Sequence, residues 1–250
     1  MHILLTNDDG IFAPGILALK DAAIARGHKV SICAPNEERS AASHSITLRR
    51  NMKVKREEIA GVEFAYAVDG QPADCARLGL WLVKDVDIVI AGINNGPNMG
   101  GACIYSGTVA AATEASMSGT PALAASFCGF NTHEYAASAI VTVKVAEWMI
   151  DHPLPRGAIY NLNVPALPLD ELRGIRAADL GASYLDDPYY REIPGEEGTE
   201  YTYGHGVDSV KDAPENCDVT LTQKGYATLT KLSWNLQLNA PAPDVSGIVL

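Results

Sequence analysis

Apolar and polar positions along the chain follow two periods in alternation. Ile3 to Thr6 is a short apolar run that ends in the turn residues Asn7 to Gly10, and from Pro14 the residues Ile16, Leu17, Leu19, Ala23 and Ile24 recur at helical spacing until Gly27. His28 to Ala34 reads as the next strand; Pro35 ends it, and the polar loop NEERSAASHS follows. After a basic, irregular stretch (LRRNMKVKRE), a strand is expected over Val62 to Val68. Pro72 then opens a helix carrying Cys75, Leu78, Leu82 and Val83. Val86 to Ala91 is apolar apart from Asp87, the pattern of a parallel strand buried on both faces.

Beyond that strand the loop GINNGPNMGGACIYSG leads into a small-residue helix from Thr108 to Met117 that stops at Gly119. Pro121 to Ser126 reads as a strand, Glu134 to His152 as an amphipathic helix stopped by Pro153, and Ala158 to Val164 as a further strand. Strands alternating with helices predict a three-layer α/β/α sandwich around a mostly parallel, Rossmann-like sheet. The segment Tyr184 to Gly206 mixes acidic residues with tyrosines and has no helical period, so an extended hairpin is expected there. The division that follows is an α/β core over residues 1–180 and a C-terminal hairpin and tail over 181–250.

A chain of 250 residues is long enough to bury a sizeable core. Nineteen basic against 30 acidic residues give a net charge of −11, which disfavours binding to nucleic-acid polymers or anionic membranes. An anionic substrate would need a local cation. Five widely spaced cysteines without a C-x-x-C pair argue against a disulfide framework and a cysteine zinc site. The apolar run at the N-terminus is too short for a signal peptide, and the longest charge-free stretch, Ile88 to Thr113, is broken by glycine, asparagine and proline. A cytoplasmic protein with no membrane span is therefore expected.

Candidate chemistry gathers where strands end, which is where open α/β sheets bind ligands. Asp8 and Asp9 follow the first strand, Ser40 follows the second, and Asn94 follows VDIVIA. Taken singly, each has an ordinary structural reading: the aspartates as helix caps and turn residues, Ser40 as a loop serine, Asn94 as a turn residue. Taken together, two carboxylates, a hydroxyl and an amide oxygen form a hard oxygen set suited to Mg²⁺, Mn²⁺ or Ca²⁺. Ser106, Gly107 and Thr108 precede the small-residue helix, with Ser106 as its natural N-cap, so the helix start is a candidate phosphate site. The six histidines show no metal-binding spacing; His44, four residues after Ser40, is the one placed to reach the same mouth.

These residues carry a resemblance to the SurE family of metal-dependent nucleotidases and phosphatases. It runs through ILLTNDDGIFAPGI, APNEERSAASHSITL, DGQPADCARLGL, the block from Asp87 to Ser126 and NLNVP. The resemblance implies that Asp8, Asp9, Ser40 and Asn94 hold one divalent ion, that Asp8 or Asp9 acts in catalysis, and that Asn94, Ser106, Gly107 and Thr108 receive phosphate. It implies 5′-nucleotidase activity on nucleoside monophosphates, extending to 3′-nucleotides and short polyphosphate, in a homodimer or homotetramer. Ala41 stands where the family commonly has glycine, and Lys231 where it has proline. Whether water or an aspartate attacks phosphorus stays open. Two other readings are a haloacid-dehalogenase-type phosphatase, whose paired aspartates would be one residue further apart, and a nucleotide sensor without turnover.

Overall fold

The computed structural model describes residues 1–129, 134–181, 188–195, 198–205 and 213–235. Nine strands form one sheet: β1 (His2–Thr6), β2 (Lys29–Pro35), β3 (Val54–Arg56), β4 (Ala65–Val68), β5 (Ile88–Asn95), β6 (Ala122–Cys128), β7 (Ala158–Pro165), β8 (Ile175–Ala177) and β11 (Ala227–Ser233). Their order is β3-β4-β2-β1-β5-β6-β7-β11-β8. The strands from β4 to β7 pair in parallel, whereas β3 and β11 run antiparallel to β4 and β7. A separate hairpin pairs β9 (Pro188–Gly195) with β10 (Gly198–His205).

Helices α1 (Pro14–Ala25) and α4 (Ala136–Ile150) pack on one face of the sheet, and α2 (Pro72–Leu82) and α3 (Gly107–Met117) on the other. The alternation of side chains along β1 supplies both layers, because Ile3 and Leu5 enter the core beneath α1 while Leu4 enters the core beneath α2. A strand apolar at every position is what two covered faces require. The three-layer Rossmann-like sandwich expected from the pattern is therefore the fold.

Chain order places the ligand-binding crevice. From β1 the chain builds outward through β2 to β4, then crosses back to lay β5 on the other side of β1. The sheet thus changes winding direction between β1 and β5, and the loops leaving their carboxyl ends part to open a crevice there.

Several elements differ from the pattern reading. β5 runs on to Asn95: at Gly92, with φ of +136°, the strand shifts register against β6 and resumes at Asn94. Asn94 therefore sits on a strand end, since an irregularity in the ladder absorbs the glycine that looked like a stop. A 3-10 helix, Gly100–Ile104, occupies part of the loop after it. A short helix α5 (Asp218–Gln223) and β11 follow the hairpin, and β11 brings its segment back into the main sheet beside β7. Of the expected hairpin over Tyr184 to Gly206, residues 184–187, 196–197 and 206 lie outside the described residues.

Candidate functional site

Asn7 builds the turn after β1: its side chain donates to the Gly10 carbonyl (2.7 Å) and accepts from the Gly10 N–H (3.2 Å). Helix α1 begins later, with Ala13 as N-cap and no side-chain cap. Asp8 and Asp9 consequently neither cap α1 nor close the turn, and both carboxylates are left for the crevice.

Asp8 is buried and held by the start of α3. The Thr108 hydroxyl donates to its Oδ1 at 2.5 Å and the Thr108 N–H to its Oδ2 at 3.2 Å. Gly107 is what allows this approach, because a Cβ there would lie 2.9 Å from the Asp8 side chain and 2.9 Å from Pro72 Cγ. Asp9 accepts from the Asn95 N–H at 3.2 Å on Oδ2. Asn94 donates its side-chain NH₂ to the Gly96 carbonyl (2.8 Å), which turns its Oδ1 inward to 3.4 Å from the Thr108 hydroxyl. The three groups come from β1 and β5, the two strands that flank the switch point.

Burial raises the Asp8 carboxyl above the ordinary aspartate range, against the lowering pull of Thr108. Burial, and then the charge of Asp8, push Asp9 up to about 7. Among the described residues no lysine, arginine or histidine forms an ion pair with either carboxylate, so their shared charge has no protein counterion.

These groups line a cleft of about 280 Å³ together with Glu38, Ser40, Ala41, Asn95, Pro97, Asn98, Ala102, Tyr105 and Ser106. Ser40 is exposed, and its hydroxyl donates to Glu38 Oε1 at 2.5 Å. Ser106 caps α3, its Oγ accepting from the Val109 N–H at 3.0 Å. Thr108 spends both of its donors on Asp8. The donors of the turn that remain for an anion are the Ser106 hydroxyl and the Gly107 N–H, which has no acceptor among the described residues. His44 does not reach this cleft; its Nε2 pairs with Glu114 at 2.8 Å, beside a neighbouring cavity.

The donor set fits a hard divalent cation. It is all oxygen, and two of its members are carboxylates that form no ion pair among the described residues. All five cysteines are free thiols, and burial pushes Cys33 and Cys103 up to about 12.

Two features of the site carry little signal in the sequence pattern. Glu38 is a third carboxylate of the cleft and adds to the upward pressure on Asp8 and Asp9; its only signal was its place two residues before Ser40. Beneath the loop, Asn163 accepts from the Asn98 N–H (2.9 Å), Asn161 and Asn163 both donate to the Asn98 carbonyl (2.8 and 2.9 Å), and the Asn98 side chain donates to Ser126 (2.9 Å). Two fully buried asparagines at alternate positions of a strand were a readable sign of such a support.

Comparison with known proteins identifies the chain's relatives. The family described as "Survival protein SurE" matches residues 3–187. A protein of Clostridium beijerinckii named 5′-nucleotidase SurE is 38% identical over 99% of this chain and 99% of its own. A relative of the same name from Methylococcus capsulatus is 44% identical over 83% of this chain and 85% of its own. The crystal structure of the SurE protein from Aquifex aeolicus superposes with a TM-score of 0.83 at 31% identity, covering 95% of both chains. The chain belongs to the SurE family.

Proposed function

We propose that this protein hydrolyses nucleoside monophosphates to nucleoside and inorganic phosphate, with Asp8, Asp9, Ser40 and Asn94 holding one divalent cation. The observation that carries the reading is the pair of adjacent, uncompensated carboxylates at the switch point, facing the start of α3. The curated relatives named 5′-nucleotidase SurE support the same reaction class. The bound ion would supply positive charge that polarises a phosphoryl oxygen and acidifies a water.

The remaining tasks fall to the chain itself. The N-terminus of α3 presents the Ser106 hydroxyl, the Gly107 N–H and the positive end of the helix dipole to the phosphoryl oxygens. Thr108 fixes the orientation of Asp8. Asp9 accepts the Asn95 N–H through Oδ2, and its other oxygen would orient a water molecule, take its proton and return it to the leaving oxygen as the ester P–O bond breaks. Mg²⁺ and Mn²⁺ suit the small oxygen set best, with Ca²⁺ as the weaker candidate.

The free thiols fit a reducing compartment, and we assign the activity to the cytoplasm. The β9–β10 hairpin pairs with no other described strand and exposes Ile193 and Tyr201, so we assign it to contacts within a homodimer or homotetramer. The test of the activity is phosphate release from a panel of nucleoside monophosphates and an aryl phosphate. Chelator-stripped protein receives Mg²⁺, Mn²⁺ or Ca²⁺, with Asp9→Asn as control. Release restored by metal and abolished in the variant is expected; folded protein silent with every metal would overturn the reading.

A further inference from the structure

The cleft that receives the phosphate is polar and small. Its volume of about 280 Å³ lies at the lower edge of the range of ordinary ligand pockets, so a nucleotide seated by its phosphate leaves its base at the rim. Three carboxylates line the cleft, and the protein as a whole carries −11, so charge alone does not draw a nucleotide into place. A neutral surface at the rim is therefore the natural partner for the base.

One such surface is present. Tyr105 is the sole aromatic among the described residues that line the cleft, and 53% of it is exposed. Its neighbour Ile104 is 72% exposed, so the pair forms an uncovered apolar edge beside an otherwise polar site. The backbone beneath is tied down: the Tyr105 N–H donates to the Ala102 carbonyl (3.0 Å), the Tyr105 carbonyl accepts from the Ser43 N–H (3.0 Å), and the Ser43 hydroxyl donates to the Ile104 carbonyl (2.8 Å). The next residue, Ser106, caps α3. An anchored backbone carrying an uncovered ring costs little entropy to use as a platform, and a phenol face suits any planar base.

We propose that Tyr105 is the residue that recognises the nucleobase, by stacking on it at the rim of the cleft, and that it sets the preference for nucleotides over base-free sugar phosphates. The proposal rests on the nucleotidase reading above.

The test compares AMP with ribose 5-phosphate, which offers the same phosphate and sugar without a base. Both are assayed with the full-length, metal-loaded protein and its Tyr105→Ala and Tyr105→Phe variants. The unaltered protein should favour AMP. Tyr105→Ala should lower kcat/KM for AMP roughly ten- to hundredfold, the size of one lost base stack, chiefly through a higher KM. Ribose 5-phosphate should be turned over with little change, and Tyr105→Phe should retain most of the AMP activity. An equal loss on both substrates, or no loss on either, would overturn the assignment. Phosphate release from neither substrate by the unaltered protein would overturn the nucleotidase reading itself, and the two failures are thus told apart.

Discussion

The two sides of the cleft are built differently. On the sheet side, Asp8, Asp9 and Asn94 sit at the ends of β1 and β5, and each is tied by a hydrogen bond to the start of α3 or to the end of β5. On the loop side, Ser40 is exposed and its hydroxyl bonds to Glu38 within its own loop, while the loop backbone is pinned on either side, by the Arg39 N–H on the Asp8 carbonyl (2.7 Å) and by Ser43 on the 3-10 helix. Ala41 and Ser43 both carry left-handed φ values, +54° and +51°. The sheet therefore fixes the side chains of one half of the site before any ligand arrives, whereas in the other half the loop backbone is pinned, at a cost in strain, and the exposed Ser40 side chain is not.

That contrast can be broken in a graded series. Asp9→Asn, on the sheet side, should reduce turnover by about two orders of magnitude or more, since the charge that fixes the ion is lost. Its melting temperature should not fall, because the variant also removes the repulsion between Asp8 and Asp9; steady-state kinetics and calorimetry check the two parts.

Acidity should act on the same pair. With its folded pKa raised from 3.8 to about 7, Asp9 binds a proton more readily in the native state than unfolded, so its effect favours folding below the unfolded value and is lost as pH rises through about 7. Chelator-stripped protein should thus melt higher at pH 5 than at pH 8, by a few kcal/mol of stability. Saturating metal should reverse the trend, because the ion requires the charged carboxylates. Equal melting at both pH values would show that the carboxylates are already compensated.

Thr108→Val leaves the Asp8 carboxylate in place but removes the hydroxyl that orients it. A loss of about 10- to 100-fold in metal affinity or turnover is expected from such a supporting group, measured by metal titration. On the loop side, Ser40→Ala should cost less, about tenfold, since water can stand in for an exposed hydroxyl. A loss as large as that of Asp9→Asn would erase the distinction between the two sides. Smallest of all, Ala41→Gly should stabilise the protein by about 0.5 kcal/mol, the relief of a left-handed alanine offset by the added freedom of the unfolded chain. Denaturant midpoints check this.

Which parts of the molecule could be read beforehand follows from the same physics. The alternation of apolar strands and helices through Val164 made the layered core legible, and the carboxyl ends of its strands then pointed to Asp8, Asp9 and Asn94. Ser106 was legible as a cap because a helix start leaves its own N–H groups in need of an acceptor. The division of labour within the site was not legible. Only the close approach permitted by Gly107 turns the donors of Thr108 onto Asp8, and a contact between residues one hundred positions apart leaves no local signature. β11 leaves no clear signature for a similar reason: ATLTKLS has weak alternation of its own and becomes a strand through pairing with β7.

β11 also imposes an order on how the molecule comes into being. The residues assigned to the site all lie within the first 108 positions, and the strands that carry them are complete once β7 has been made. The outer edge of β7 must then wait for residues 227–233 before it is covered. On the ribosome, at about 5 to 20 residues per second, that interval lasts several seconds, during which a nearly finished sheet shows an open backbone edge to its surroundings. Truncation before Ala227 should accordingly trap the chain in a sticky, sheet-edged form, whatever the chemistry of its cleft.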